Sequence, residues 1–408
     1  MENNTQLKEM IRSMVIDVLQ GQKQEMASSQ PIKQVPRGQV EPGVFDTVDE
    51  AIQAAKAAQA RFEDCTLATR EKVIADIRAA MRPRVQDLAQ KTVEETGMGR
   101  VADKVLKLNL TLDKTPGVED LVTECETGDN GMTLYELSAY GVIGAVTPST
   151  NPAETLICNT IGMLAAGNAV FFSVHPGAKH LSRLLVSELN QIIAKSIGIE
   201  NLIVTLREPS IESAQEMMLH PDVSLLVVTG GPGVVKQALQ SGKKVIGAGA
   251  GNPPAFVDET ADIKKAAQDI VLGASLDNNI LCIAEKSVVA MRQIEPQLVQ
   301  EMVKAGCVLL ENQQDIQRLV DLTVLPNGTP NKKFVGKNAS VILDAAHIPY
   351  NGDPRLIIMR APKNHPFAVI EMLMPILPVV TVDSFDEGLD VCLMLEAGLH
   401  HTATMHSL

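Results

Sequence analysis

Tryptophan is absent and aromatic residues make up only 3 % of the 408-residue chain, so any core it builds is aliphatic. No continuous apolar run reaches the ~18 residues of a membrane-spanning helix. Basic residues are outnumbered, with 36 Lys and Arg against 49 Asp and Glu and a net charge of −13. Nucleic-acid binding needs a basic footprint, which this balance denies the chain as a whole. A phosphate-bearing ligand would have to be held locally, by helix N-termini and glycine turns. Cysteines stand at 65, 125, 158, 282, 307 and 392, with no CxxC pair among them. That spacing argues against zinc and thioredoxin-like sites. With no secretory signal, six free thiols in a reducing compartment are the expectation.

What remains is 45 % hydrophobic and 21 % charged, the composition of a soluble globular protein. The length points to two or three domains. Residues 1–20 read as one amphipathic helix: Leu7, Met10, Ile11, Met14, Val15 and Val18 share a face, and Lys8, Glu9, Arg12 and Asp17 lie opposite. Residues 21–42, rich in Gln, Ser, Pro and Gly, read as a flexible linker. An isolated helix is marginal in water, so this one needs a groove, on another protein or on its own body.

The globular body begins at Gly43. Thr47 and Glu50 have capping-box spacing for a helix from Val48. "GVIGAVTP", "NAVFFSV", "NLIVTL" and "SLLVVTG" are continuous apolar runs alternating with amphipathic ones, the pattern of a parallel sheet covered on both faces. A second series follows in "PAFVD", a helix over 263–273, "KSVVAM", "GCVLLE", "FAVIEM" and "ILPVVTVDS". The expected body is therefore two α/β domains, 43–247 and 248–408, with a protruding strand near 131–140.

Chemistry has few places to live. The turn Thr229–Gly233 between a strand and a helix has the form of a phosphate-binding turn, but such turns are common without ligands. "VIGAGAGNPP" is a run of near-naked backbone, suited to a tight crossing or to the close approach of another group. Cys158, Cys307 and Cys392 sit in apolar segments as core fillers, and Cys65 and Cys125 in polar loops. Cys282, in "NNILCIAEK", lies between a polar run and a strand at the domain seam, a position suited to a reactive thiol. His400, His401 and His406 lack the spacing of a helical metal pair, so no metal is expected.

In order, "ETGMGR", "TPSTNPAET", "HPGAKH", "VTGGPGVVK", "GAGAGNPPAFVDETAD", "NNILCIAEK", "MPILPVV" and "GLHHTATMHS" resemble the aldehyde dehydrogenase superfamily, and within it the CoA-acylating enzymes of bacterial microcompartments. The resemblance implies two Rossmann-like domains, a small oligomerisation strand, NAD as cofactor, coenzyme A as co-substrate, and a homo-oligomer. It implies Cys282 as nucleophile and the "TPSTNP" segment as oxyanion site. There an ungapped match falls on Thr150, while Asn151 is the better amide donor. For the dinucleotide it implies Thr147, Pro148, Ser173, His175, Thr229, Gly230, Gly231 and Gly249, with Glu371 on the nicotinamide ribose. The expected reaction is propionaldehyde to propionyl-CoA. Rivals are acetaldehyde to acetyl-CoA, or an inactive cargo protein. The N-terminal helix is similar to segments that direct such enzymes to a shell protein, which implies a cytoplasmic microcompartment lumen. Relatives continue beyond "HHTATMHS", so a truncated C-terminus is a further expectation. The informative departure is Ala248, where hydrolytic relatives carry a glutamate that activates water.

Overall fold

The computed structural model describes residues 41–408, so the expected targeting helix and nearly all of the linker lie outside the described residues. Four helices open the body: Val48–Glu63, Leu67–Met81, Val85–Thr96 and Val101–Lys114. Thr47 caps the first, its hydroxyl accepting the Glu50 N–H at 3.3 Å. A hairpin of β2 (Glu124–Gly128) and β3 (Gly131–Tyr135) follows, the only antiparallel pair between named strands among the described residues and exposed along its whole length. The strand expected near 131–140 is β3. Its partner β2 was not foreseen, and it carries Cys125 on a strand where a loop was expected.

The first sheet contains β1 (Val44–Phe45), β4 (Val142–Val146), β5 (Ala169–Ser173), β6 (Ile203–Leu206), β7 (Val223–Thr229) and β8 (Lys244–Ala248). Its order is β1-β6-β5-β4-β7-β8 and every pair is parallel. The chain steps outward from β4 through β5 to β6, then returns to the other side of β4 with β7. Such a reversal opens a crevice beyond the carboxyl ends of β4 and β7, where doubly wound sheets bind ligands. β5 is buried at all five positions because helices cover both faces, which is why it reads as an unbroken apolar run.

The second sheet has the order β11-β12-β13-β10-β9-β14, again all parallel. Its strands are β9 (Pro254–Val257), β10 (Ser287–Met291), β11 (Cys307–Leu310), β12 (Leu356–Arg360), β13 (Ile376–Val382) and β14 (Thr404–His406). Side chains along β12 alternate between two cores: Leu356 and Ile358 pack on one face, Ile357 and Met359 on the other. β12 was missed in the sequence, and "FAVIEM" is not a strand. Pro366 starts a short helix, Pro366–Val369, capped by His365, whose Nδ1 accepts the Phe367 N–H at 3.2 Å. Cys158 also departs from expectation: it lies on an apolar helix but faces solvent. Among the described residues, no helix is long and apolar enough to cross a membrane.

Candidate active site

The carboxyl ends of four adjacent strands place most of the expected dinucleotide residues in one row. Ser173 ends β5 and pairs with Val146 of β4, and its carbonyl accepts the Thr147 N–H at 3.1 Å. Thr229 ends β7 opposite Ala248, the last residue of β8, whose carbonyl accepts the Gly230 N–H at 3.1 Å. Pro148 continues from Thr147, Gly249 from Ala248, and His175 caps the turn before the helix Lys179–Ile197. Thr147 Oγ1 is buried without a hydrogen-bond partner, and a side chain added at Gly231 or Gly249 would meet nothing. Helix Pro232–Leu239 begins at Gly231 with no side-chain cap. Open space, an orphaned hydroxyl and free helix N–H groups at a switch point fit a dinucleotide.

The nucleophile loop grows from the other sheet. Helix Ile263–Ser275 ends, and Asp277, Asn278 and Asn279 follow with φ of 51°, 58° and 64°. Three successive left-handed residues are costly for L side chains, and Asp and Asn tolerate that region best. Each is pinned. Asn278 Nδ2 donates to the Gly336 carbonyl and to Asn338 Oδ1, both at 2.8 Å. Asn279 Nδ2 donates to the Ala274 and Glu285 carbonyls at 2.7 and 3.0 Å. Asp277 is fully buried and accepts from Lys104 Nζ at 3.0 Å, Lys107 Nζ at 2.6 Å and the Arg100 N–H at 2.8 Å.

That ion cluster ties the loop to the oxyanion segment. Lys107 Nζ also donates to Asn151 Oδ1 and lies 3.3 Å from Glu154, while Lys104 Nζ donates to the Thr150 carbonyl at 3.2 Å. Burial works to raise the Asp277 carboxyl, but the two ammonium groups outweigh it and hold the group below the usual range. Burial works to lower Lys107, and its two carboxylates more than reverse that. Lys104 goes the other way: burial and the neighbouring Lys107 push it down. Because an ammonium only donates, Lys107 fixes the Asn151 carboxamide with oxygen toward the cluster and Nδ2 turned away, 3.3 Å from Thr150 Oγ1.

Cys282 is half-buried between this loop and the glycine run. A Cβ on Gly251 would lie 2.8 Å from the Cys282 carbonyl oxygen and 2.8 Å from Cγ of His401, so only glycine lets the run pass. The Gly251 N–H donates to Glu371 Oε1 at 3.1 Å. Burial first, and the Glu371 carboxylate second, push the Cys282 thiol up, while Lys286 and the Cys282 and Ile283 amides pull it down. Burial likewise raises Glu371. Glu371, Gly251 and Cys282 thus converge, and Asn151 joins them through Lys107 and Asp277. Lys104, Lys107, Asp277 and Lys286 were missed in the sequence. On the helix Val101–Lys114 the buried positions include two lysines while Leu106 and Leu110 are exposed, an inversion that hydrophobic patterning cannot reveal. Among the described residues no group of His, Cys, Asp and Glu is arranged to hold a metal.

The sequence profile of the Aldehyde dehydrogenase family matches residues 18–404. This chain belongs to the aldehyde dehydrogenase family. It is 48 % identical over 406 residues to the propanal dehydrogenase (CoA-propanoylating) of Salmonella typhimurium, covering 99 % of this chain and 85 % of that one. Among solved structures it is similar to Rhodopseudomonas palustris propionaldehyde dehydrogenase with bound CoA and an acylated cysteine, with TM-score 0.88, 47 % identity and coverage of 90 % and 84 %. A propionaldehyde dehydrogenase from the Clostridium phytofermentans fucose utilisation bacterial microcompartment matches with TM-score 0.87, 46 % identity and coverage of 90 % and 84 %. The expected family, and the expected α/β aldehyde-dehydrogenase-like fold with parallel-sheet domains, are borne out by these matches.

Proposed function

We propose that the chain oxidises propionaldehyde to propionyl-CoA with NAD as acceptor, through a thioacyl group on Cys282. The observation that carries this is the seating of Cys282 on the base-free glycine-alanine run, with Glu371 alongside. The Cys282 thiol gives its proton to solvent and the thiolate attacks the aldehyde carbon, forming an S–C bond as the carbonyl π bond breaks to leave an alkoxide. The Cys282 N–H and Asn151 Nδ2 donate to that oxygen. One such donor contributes about 3–4 kcal/mol. Thr147, Pro148, Ser173, His175, Thr229, Gly230, Gly231, Gly249 and Glu371 would hold the dinucleotide, which when bound accepts the hydride and leaves Cys282 as a thioester. A CoA thiolate then attacks the acyl carbon and Cys282 departs as thiolate. A thiol is ~1–5 % ionised at neutral pH and strongly nucleophilic, whereas water needs a base. Ala248 supplies none.

The exposed β2–β3 hairpin, with Met132, Leu134 and Tyr135 uncovered, supports a role in homo-oligomer formation. The microcompartment origin of a similar enzyme supports placement in a microcompartment lumen, with residues 1–20 directing the chain to a shell protein. We also read the two sheets as two domains, meeting near residue 248.

The test follows NADH formation from propionaldehyde with and without CoA, and the mass of the Cys282 peptide when CoA is withheld. Cys282→Ala is expected to abolish turnover and the acyl mass, and substantial turnover in that variant overturns the reading. One methylene is worth about 1–3 kcal/mol, so acetaldehyde is expected as a poorer substrate, read as relative kcat/KM.

A further inference from the structure

Lys286 is 3 % exposed, and its ammonium turns back along the loop to donate to the Asn279 carbonyl at 3.1 Å and the Leu281 carbonyl at 2.7 Å. Its own N–H donates to the Pro253 carbonyl at 2.8 Å, which anchors it at the start of β10 against the end of the glycine run. Burying an ammonium is costly. Satisfying the Leu281 oxygen does not explain that cost, because the Ala284 N–H already donates to it at 3.2 Å. The second donor does something else: it fixes the direction in which that carbonyl points.

The peptide that carries the Leu281 carbonyl also carries the Cys282 N–H. In a trans peptide the two point in opposite directions, and no cis peptide occurs among the described residues. A carbonyl held by two donors therefore aims the Cys282 N–H away from Lys286. That amide belongs to the residue that carries the sulfur, so the direction in which it points decides whether it meets an oxyanion formed on a carbon bonded there. We infer that Lys286 is a positioning residue: through the Leu281 carbonyl it orients the Cys282 N–H as the backbone donor to the oxyanion. The inference rests on the reading of Cys282 as acyl carrier. It adds a counterpart to Lys107, which orients the side-chain donor Asn151.

Two thiol reactions separate orientation from every other effect of the lysine. In acylation by p-nitrophenyl propionate, sulfur attacks the carbonyl carbon, an oxyanion forms, the bond from the acyl carbon to the aryloxy oxygen breaks and p-nitrophenolate leaves. In alkylation by iodoacetamide, sulfur displaces iodide and no oxyanion forms. Both consume the thiolate, so any change in thiol acidity divides out of their ratio. Both are read from the mass of the Cys282 peptide, because Cys125 and Cys158 are exposed and also react. K286M is expected to lower the acylation-to-alkylation ratio about 10²-fold, the effect of losing or misplacing one oxyanion donor. K286R, which keeps a charged multi-donor group, is expected to retain most of the ratio. If K286M does not fold, K286Q, whose shorter amide cannot reach both carbonyls, takes its place with the same expected loss. A wild-type ratio in K286M or K286Q overturns the proposal, even if both rates fall together. Wild-type protein in which other cysteines are acylated and Cys282 is not overturns the parent reading instead, and this inference with it.

Discussion

Gly251→Ala tests whether the glycine run sets the position of the nucleophile. The added Cβ would lie 2.8 Å from the Cys282 carbonyl oxygen and 2.8 and 2.9 Å from two ring carbons of His401. Ordinary contact needs about 3.5 Å, so something must move by about 0.7 Å. The histidine ring is a side chain and can turn. The Cys282 carbonyl is backbone, in a loop whose flanking residues are pinned by Asn279 and Lys286, so its displacement carries the thiol with it. A misplacement of about 1 Å at a reacting centre costs about 10²-fold in rate, so kcat is expected to fall between about 10- and 10²-fold. Overpacking is expected to cost about 1–3 kcal/mol of stability. The double variant G251A/H401A divides the two effects. Removing the ring relieves its share of the strain and raises the melting temperature above that of G251A, but leaves the clash with the Cys282 carbonyl and hence the low kcat. NADH formation and thermal unfolding measure both. G251A with wild-type kcat and an unchanged melting temperature would refute the claim that this backbone contact holds the thiol.

Three further outcomes follow from the same geometry. Ala248→Glu places a carboxylate at the exposed end of β8, beside the Thr229–Gly231 turn, and is expected to raise the ratio of propionate to propionyl-CoA; an unchanged product ratio counts against the missing base as the reason for acyl transfer. Glu371→Gln removes the charge that, after burial, pushes the Cys282 thiol up, so alkylation by iodoacetamide at neutral pH is expected to quicken and its pH profile to shift downward, while a profile that stays put denies that pairing. Asp277→Ala leaves Lys104 and Lys107 buried with one carboxylate fewer and is expected to cost about 3–5 kcal/mol in urea unfolding. Because the Asp277 pKa is depressed in the fold, that contribution is complete above the ordinary value of 3.8 and fades as pH falls through the folded value, so wild type and variant should converge in acid.

The sequence was most legible where burial is two-sided. β4 to β7 lie under helices on both faces, and an apolar run between turn residues is the necessary trace of that. β12 is just as buried, yet it does not stand out in the sequence, and the nearby run after Pro366 reads as a strand although the proline starts a short helix there. Within the site, Cys282 and Glu371 were legible through their motifs, and Gly251 through the oddity of its run. The ion cluster was not. Lys104 and Lys107 look like solvated positions on a helix, and their partner Asp277 is 173 and 170 residues away. The one local trace is the succession Asp-Asn-Asn, the side chains that best tolerate the left-handed turn the structure puts there.

The fate of the acyl group turns on more than Ala248. The run from Gly247 to Gly251 carries no base, as expected, but the pocket as a whole does contain a carboxylate: Glu371 lies close enough to raise the Cys282 thiol. Glu285, the acid three residues after Cys282, is half-buried against Gly273 with Oε2 unpartnered, on the flank of the helix Ile263–Ser275. Glu371 is therefore the group by which water could be activated. One of its oxygens is committed to the Gly251 N–H. The other is free to accept a hydroxyl of the nicotinamide ribose, the role the family resemblance gives this residue. A carboxylate bonded to both is a poor base for water. On the proposed reading, selection of thiol over water combines two physical causes: no base at Ala248, and a nearby carboxylate that the Gly251 N–H holds on one oxygen and the cofactor would hold on the other while the acyl group forms.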